Sequence, residues 1–160
     1  MKKILIATDG SEGALKAADF VGEQFAGMED LQITLFHVSS GVPPELWDDG
    51  HILTEEEKTE RKAVLDEWFR NQKLKLDLIF RPAMEKLVSR GISPNQIETR
   101  PVSESVKNTP ECILAEAKSG GYSTLVVGRC GASATAHALL GSTVGKVIDR
   151  GRGIAVCVVE

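Results

Sequence analysis

Hydrophobic and polar positions alternate between two regimes along the chain. Ile4-Leu5-Ile6-Ala7 is a continuous apolar run, the pattern of a strand covered on both faces. It stops at Asp9-Gly10-Ser11, a turn signal. Ser11 then caps a helix on which Ala14, Ala18, Val21 and Phe25 recur at helical spacing, ended by Gly27. A second strand runs from Leu31 to Val38. Residues 41–53 form a long loop with Pro43, Pro44 and Trp47. Thr54 and Glu57 have the spacing of a capping box, and Glu55, Glu56 and Glu57 suit the positive end of a helix dipole.

The helix so started spans 54–91, with Leu65, Trp68, Leu76, Ile79, Ala83 and Leu87 on one face. A break is expected near Pro82, which cannot donate to the carbonyl of Leu78. Ile97–Val102 reads as a third strand, and Pro101 places it at a sheet edge. Thr109 is the expected N-cap of the next helix, with Pro110 at its first position and Gly120-Gly121 as its stop. Thr124–Val127 is a fourth strand. Ser142–Asp149 is a last helix, and Ile154–Val159 a fifth strand. Strands alternating with about four helices predict one α/β domain: a parallel sheet, with helices on both faces because crossovers are right-handed.

Composition narrows the function. Against 23 acids the chain has 19 lysines and arginines, a net charge of −4, so the basic footprint of a nucleic-acid binder is missing. Cys112, Cys130 and Cys157 form no CxxC pair, and His37, His51 and His137 lie far apart, which argues against zinc or a disulfide framework. Three reduced thiols point to the cytoplasm. No apolar stretch is long enough for a membrane span, and the run ending before Asp9 is too short for a signal sequence.

Candidate chemistry lies where strands end. Ligands of open parallel sheets sit beyond the carboxyl ends of the strands, at the point where strand order reverses. One such end carries Thr8-Asp9-Gly10-Ser11. The other carries Gly128-Arg129-Cys130-Gly131, nine further residues, then Gly141-Ser142-Thr143. Gly128 and Gly131 would let backbone N–H groups approach an anion, Gly141-Ser142 opens a helix whose N-terminus favours phosphate, and Thr143 adds a hydroxyl. The alternative is that these glycines only serve turns and packing. Asp9 would accept hydrogen bonds from a ribose, or else close an Asx turn on Ser11. Val38 would offer its backbone to an adenine edge, or else be a core valine. The segment from Arg129 onward holds four cations, Arg129, Lys146, Arg150 and Arg152, against Asp149 and Glu160. No Gly-x4-Gly-Lys motif is present, so phosphoryl transfer would lack a usual part.

At this point the chain resembles the universal stress proteins. KKILIATDGSEGALKAADF is similar to that family's opening strand, acidic turn and first helix. HVSS is similar to the end of its second strand, LVVGRCGASATAHALLGSTVGKVI to its Gly-x2-Gly-x9-Gly-[Ser/Thr] signature, and IAVCVVE to its last strand. The resemblance implies a Rossmann-like sheet in the order 3-2-1-4-5, related to the adenine nucleotide alpha hydrolases. It also implies a cytoplasmic homodimer paired through Ile154–Val159. It further implies an ATP-binding stress or regulatory protein, taking ATP, AMP or ADP with or without Mg, and no nucleic acid or membrane partner. Asp9 would hold the ribose and Val38 the adenine; Gly128, Arg129, Gly131, Gly141, Ser142 and Thr143 would hold the phosphates. The spacer Ala132–Leu140 has no Lys or Arg, where many members are basic, and Gly145 replaces a larger polar residue, which together imply modest affinity.

Two other functions remain open. One is slow ATP or adenine-nucleotide hydrolysis, with His137 or Asp9 as general base. The other is a nucleotide-free interaction module working through the 41–53 loop and Trp47, an aromatic of the kind that anchors interfaces; the alternative is that Trp47 packs on the long helix. Cys130, beside Arg129, is either a thiol of lowered pKa or inert.

Overall fold

A computed structural model describes residues 1–104, 108–130 and 141–160. The elements follow in the order β1 (Lys2–Ala7), α1 (Glu12–Phe25), β2 (Leu31–Ser40), α2 (Glu55–Ser89), β3 (Ile97–Glu104), α3 (Thr109–Ser119), β4 (Thr124–Gly128), α4 (Ser142–Arg150) and β5 (Ala155–Val159). All five strands are parallel, in the order β3-β2-β1-β4-β5. The α/β architecture and strand order are those the sequence and its resemblance imply, and β3, with its Pro101, lies at an edge.

Because side chains alternate across a strand, the apolar runs feed two cores. Ile4, Ile6, Ile33, Leu35 and Val126 face one way, under Ala17, Ala18 and Val21 of α1 and Phe80, Ala83 and Leu87 of α2. Leu5, Phe36, Val38, Leu125 and Val127 face the other way, under Ile113, Leu114 and Ala117 of α3 and Val144 and Val147 of α4. Both faces of the central strands are thereby covered, which is why those strands read as unbroken apolar runs.

Three local details differ from the sequence reading. The helix expected to break near Pro82 is continuous from Glu55 to Ser89. Phe80, Ala83 and Leu87 anchor it in the core on both sides of the proline. α3 begins one residue earlier than expected: Asn108 is its N-cap, and Thr109 is already helical. Within the 41–53 loop, Pro44–Leu46 form a short 3-10 turn. The capping box is as expected, with Glu57 N donating to Thr54 Oγ1 at 3.2 Å and Thr54 N donating to Glu57 Oε2 at 2.7 Å.

α1 is fixed to its neighbours through two glycines and one ion pair. A Cβ on Gly22 would lie 2.7 Å from Cβ of Arg90, so the helix crosses the end of α2 at close range. There Arg90 forks onto Asp19, with Nε to Oδ1 at 2.8 Å and Nη2 to Oδ2 at 2.7 Å. At its other end, a Cβ on Gly13 would lie 2.3 Å from the Cys130 carbonyl oxygen, and one on Gly128 would lie 2.4 Å from the Gly13 carbonyl. The first turn of α1 therefore rests directly on the end of β4, backbone on backbone.

Two outcomes are expected. Gly13→Ala and Gly128→Ala should each lower the urea-unfolding free energy by about 1–3 kcal/mol, because the added methyl meets backbone that has no rotamer to yield; unchanged midpoints would contradict the close contact. The hydrogen bond and charge of Arg90 hold the Asp19 carboxyl below its ordinary range. A carboxyl depressed in the folded state stabilises above its unfolded pKa of about 3.9 and loses that contribution as pH falls through the folded value. Asp19→Asn should thus lower Tm at neutral pH, and the gap from wild type should close as the pH falls below the carboxylate range.

Candidate functional site

The site is built at the seam between β1 and β4, where strand order reverses. On the β1 side the chain turns sharply. Gly10 has φ of +78°, and Asp9 Oδ1 accepts a hydrogen bond from Ser11 N at 3.0 Å. Ser11 Oγ in turn accepts from Ala14 N at 3.3 Å and caps α1. Asp9 therefore closes the Asx turn, one of its two expected roles, while its carboxylate stays at the exposed surface of the seam.

On the β4 side, Arg129 N donates to the Val159 carbonyl at 2.7 Å, and the Arg129 carbonyl accepts from Gly141 N at 3.0 Å. This pair of bonds ties the end of β4 to the end of β5 and brings the start of α4 back to β4. The Arg129 guanidinium pairs with Glu160. Gly141 is buried and is the N-cap of α4, with no side-chain cap. Its carbonyl accepts from Gly145 N at 2.9 Å, the first bond of the helix. The helix itself thus provides no acceptor for the N–H groups of Ser142, Thr143 and Val144. Ser142 is exposed and Thr143 half-buried.

Asp9, Gly128, Arg129, Gly141, Ser142 and Thr143 accordingly fall on segments that meet at one end of the sheet. Val38 is buried among the apolar side chains facing α3 and α4, in register with Val102 of β3, so its side chain is a core valine. Gly128 lacks a Cβ because Gly13 occupies that space. Gly131, the spacer Ala132–Leu140 and His137 lie outside the described residues.

The sequence reading passed over three participants. Gly13 is the counterpart of Gly128; a glycine in the first turn of a helix costs about 1 kcal/mol against alanine, and that cost was the available signal. Thr8, buried at the end of β1, has a hydroxyl without a hydrogen-bond partner among the described residues. His37 bridges the ends of β2 and β1: its Nδ1 lies 2.8 Å from the Thr8 carbonyl, and its ring meets Phe80 edge-on at 6.3 Å. Nothing in the hydrophobic pattern marks Thr8 or His37.

Trp47 is 53% exposed. Its indole N–H donates to the Val42 carbonyl at 2.7 Å, and Arg61 of α2 donates to the Leu46 carbonyl at 3.1 Å, which ties the loop to the long helix. Among the described residues no group of three His, Cys, Asp or Glu is placed to hold a metal ion, and no helix is long and apolar enough to cross a membrane.

Comparison with known proteins places this geometry. A search of curated proteins finds no match. Among solved structures, the chain is similar to the hypothetical protein MJ0577, at 23% identity and a TM-score of 0.64, over 99% of this chain and 94% of that one. It is similar to a universal stress protein in complex with cAMP, at 22% identity and a TM-score of 0.64, over 99% and 96%. It is also similar to the Archaeoglobus fulgidus universal stress protein in complex with dAMP, at 18% identity and a TM-score of 0.58, over 100% and 98%. At these identities the structures establish a shared fold. The model of the universal stress protein family matches residues 1–152, and the chain belongs to that family.

Proposed function

We propose that the protein is an adenine-nucleotide-binding regulator that holds its ligand at the β1–β4 seam. The observation that carries this reading is the start of α4. Three consecutive N–H groups without helical acceptors stand beside the end of β4, at the topological switch point, where a helix N-terminus favours phosphate. The solved relatives with cAMP and dAMP support an adenine nucleotide as the class of ligand.

In this reading Gly141, Ser142 and Thr143 hold the phosphates, with Gly128, Arg129 and Gly131 shaping the loop beside them. Asp9 takes the ribose through its carboxylate at the exposed surface of the seam, and the backbone near Val38 borders the base. ATP is the ligand of the resting protein. Mg would arrive on the nucleotide's own phosphates, since the described residues supply no cluster of acids for it. The protein works as a cytoplasmic homodimer paired through β5, whose residues Val156 to Val159 stay half-buried at an open edge. Occupancy, rather than turnover, is the signal, because the chain lacks the lysine of a phosphate-transfer loop.

The test separates binding from folding. Ser142→Asp puts an acid at the positive end of α4, which should leave stability unchanged or raise it by about 0.3–1 kcal/mol, while repelling phosphate. Calorimetric titration with ATP and AMP is expected to show binding by the wild type and at least tenfold weaker binding by the variant. Failure of the wild type to bind either nucleotide at millimolar concentration would sink the proposal. Equal binding by the variant would move the phosphates away from α4.

A further inference from the structure

At the opposite edge of the sheet, a groove of about 1030 Å³ runs between α2 and β3. Leu74, Phe80, Met84 and Val88 line it on the helix side, and Pro94 and Pro101 on the other. Leu74 is 58% exposed and Val88 42%, and the neighbouring Leu78 is the most exposed leucine of the helix. We propose that this groove is a self-association surface, filled by α2 of a second copy of the chain running antiparallel.

The stripe facing the groove is Arg70, Leu74, Asp77, Arg81, Met84 and Val88. Its steps of four and three residues are those of a helix seam that packs against another helix. A two-fold axis at the level of residue 79 brings Leu74 of one copy to Met84 of the other, Asp77 to Arg81, and Arg70 to Val88 and the adjoining Glu85. Leu74 thus meets Met84 and Asp77 meets Arg81, each contact occurring twice, while Arg70 lies over Val88 with its guanidinium within reach of Glu85, and this repetition is the self-complementarity a two-fold interface requires. Leu78 meets its own copy beside the axis.

The charges outside existing pairs make the same point. Asp77 and Arg81 already form an ion pair within the helix. Arg70, Lys73 and Glu85 line the groove without an ion-pair partner among the described residues, and Arg70 and Glu85 stand toward opposite ends of it, with Lys73 facing Glu85 across the axis. Arg70 and Glu85 lie fifteen residues apart on one continuous helix, about 22 Å along its axis. They cannot neutralise one another within a chain; antiparallel pairing neutralises both, at both ends. This surface is distinct from the β5 edge and does not depend on the nucleotide site.

Sedimentation of four chains tests the proposal. Arg70→Glu and Glu85→Arg each set like charges together across the two-fold, and each should weaken self-association by about tenfold or more. The doubly substituted chain, with both charges exchanged, should recover it to within a few-fold. Leu78→Glu, at a position exposed in the single chain and so harmless to folding, should abolish it. Circular dichroism and the thermal transition should be unchanged throughout. Single reversals that leave the mass distribution unaltered overturn the proposal, as does a double exchange that fails to rescue. Uptake of an apolar dye into the groove by a chain whose mass these substitutions do not alter assigns it to a small ligand and overturns the proposal equally. Pairing through β5 lies on the other edge and is untouched by these changes.

Discussion

The contact between Gly13 and Gly128 is the constraint on which the seam depends. With no Cβ on either residue, the first turn of α1 settles against the end of β4 at backbone distance, and the Cys130 carbonyl packs on the same helix. Two consequences follow at once. The turn at Asp9 and Ser11, which opens α1, is held against the loop leaving β4. The end of β4 is also tied toward the edge, where the Arg129 amide reaches the last residue of β5 and the Arg129 carbonyl receives the start of α4. A side chain at either glycine would push the first turn of α1 away from the end of β4, beside the point where strand order reverses.

α1 serves as the common wall of the molecule. Its first turn abuts β4, its middle packs Ala17, Ala18 and Val21 into the core over β1, and between them Asp19 takes the Arg90 fork. Small residues at the contact positions let the helix lie close to three neighbours at once. The long α2 behaves differently. Thirty-five residues extend about 52 Å, whereas ten residues of strand span about 33 Å. Only Phe80, Ala83 and Leu87 are fully buried, all in its last third. The first half has no sheet beneath it and holds its shape through its capping box, its acidic first turn and the Lys58–Glu55 pair.

The architecture was legible because its determinants are local. Apolar runs such as Ile4–Ala7 announce strands covered on both sides, Ser11 and Thr54 announce helix starts, and Pro101 announces an edge. Strand order and the seam came through the resemblance, carried by the Gly-x2-Gly-x9-Gly-Ser spacing and the acidic turn. What could not be read were relations between segments distant in sequence. That Gly13 and Gly128 face one another depends on the crossover geometry. That α2 survives Pro82 depends on Phe80, Ala83 and Leu87 finding a core on either side of it. Whether Val38 presents its backbone or merely its side chain depends on how far β3 extends alongside β2, and pairing continues to Ser40 and Glu104.

The central place of β1 has a bearing on how the chain is made. Lys2 through Ala7 pair on one side with Leu31 through Phe36, and Ile4 through Ile6 pair on the other with Thr124 through Val126. During synthesis, at about 5–20 residues per second, the first three strands and α2 can gather while that second flank of β1 still lacks its neighbour. For seconds the unpaired backbone edge of Ile4–Ile6 stands open in the nascent chain, and the switch-point crevice does not yet exist. It comes into being only when β4 slots in and the start of α4 returns to the end of that strand, so the crevice matures late in synthesis, and a product stalled before β4 presents an adhesive half-sheet instead.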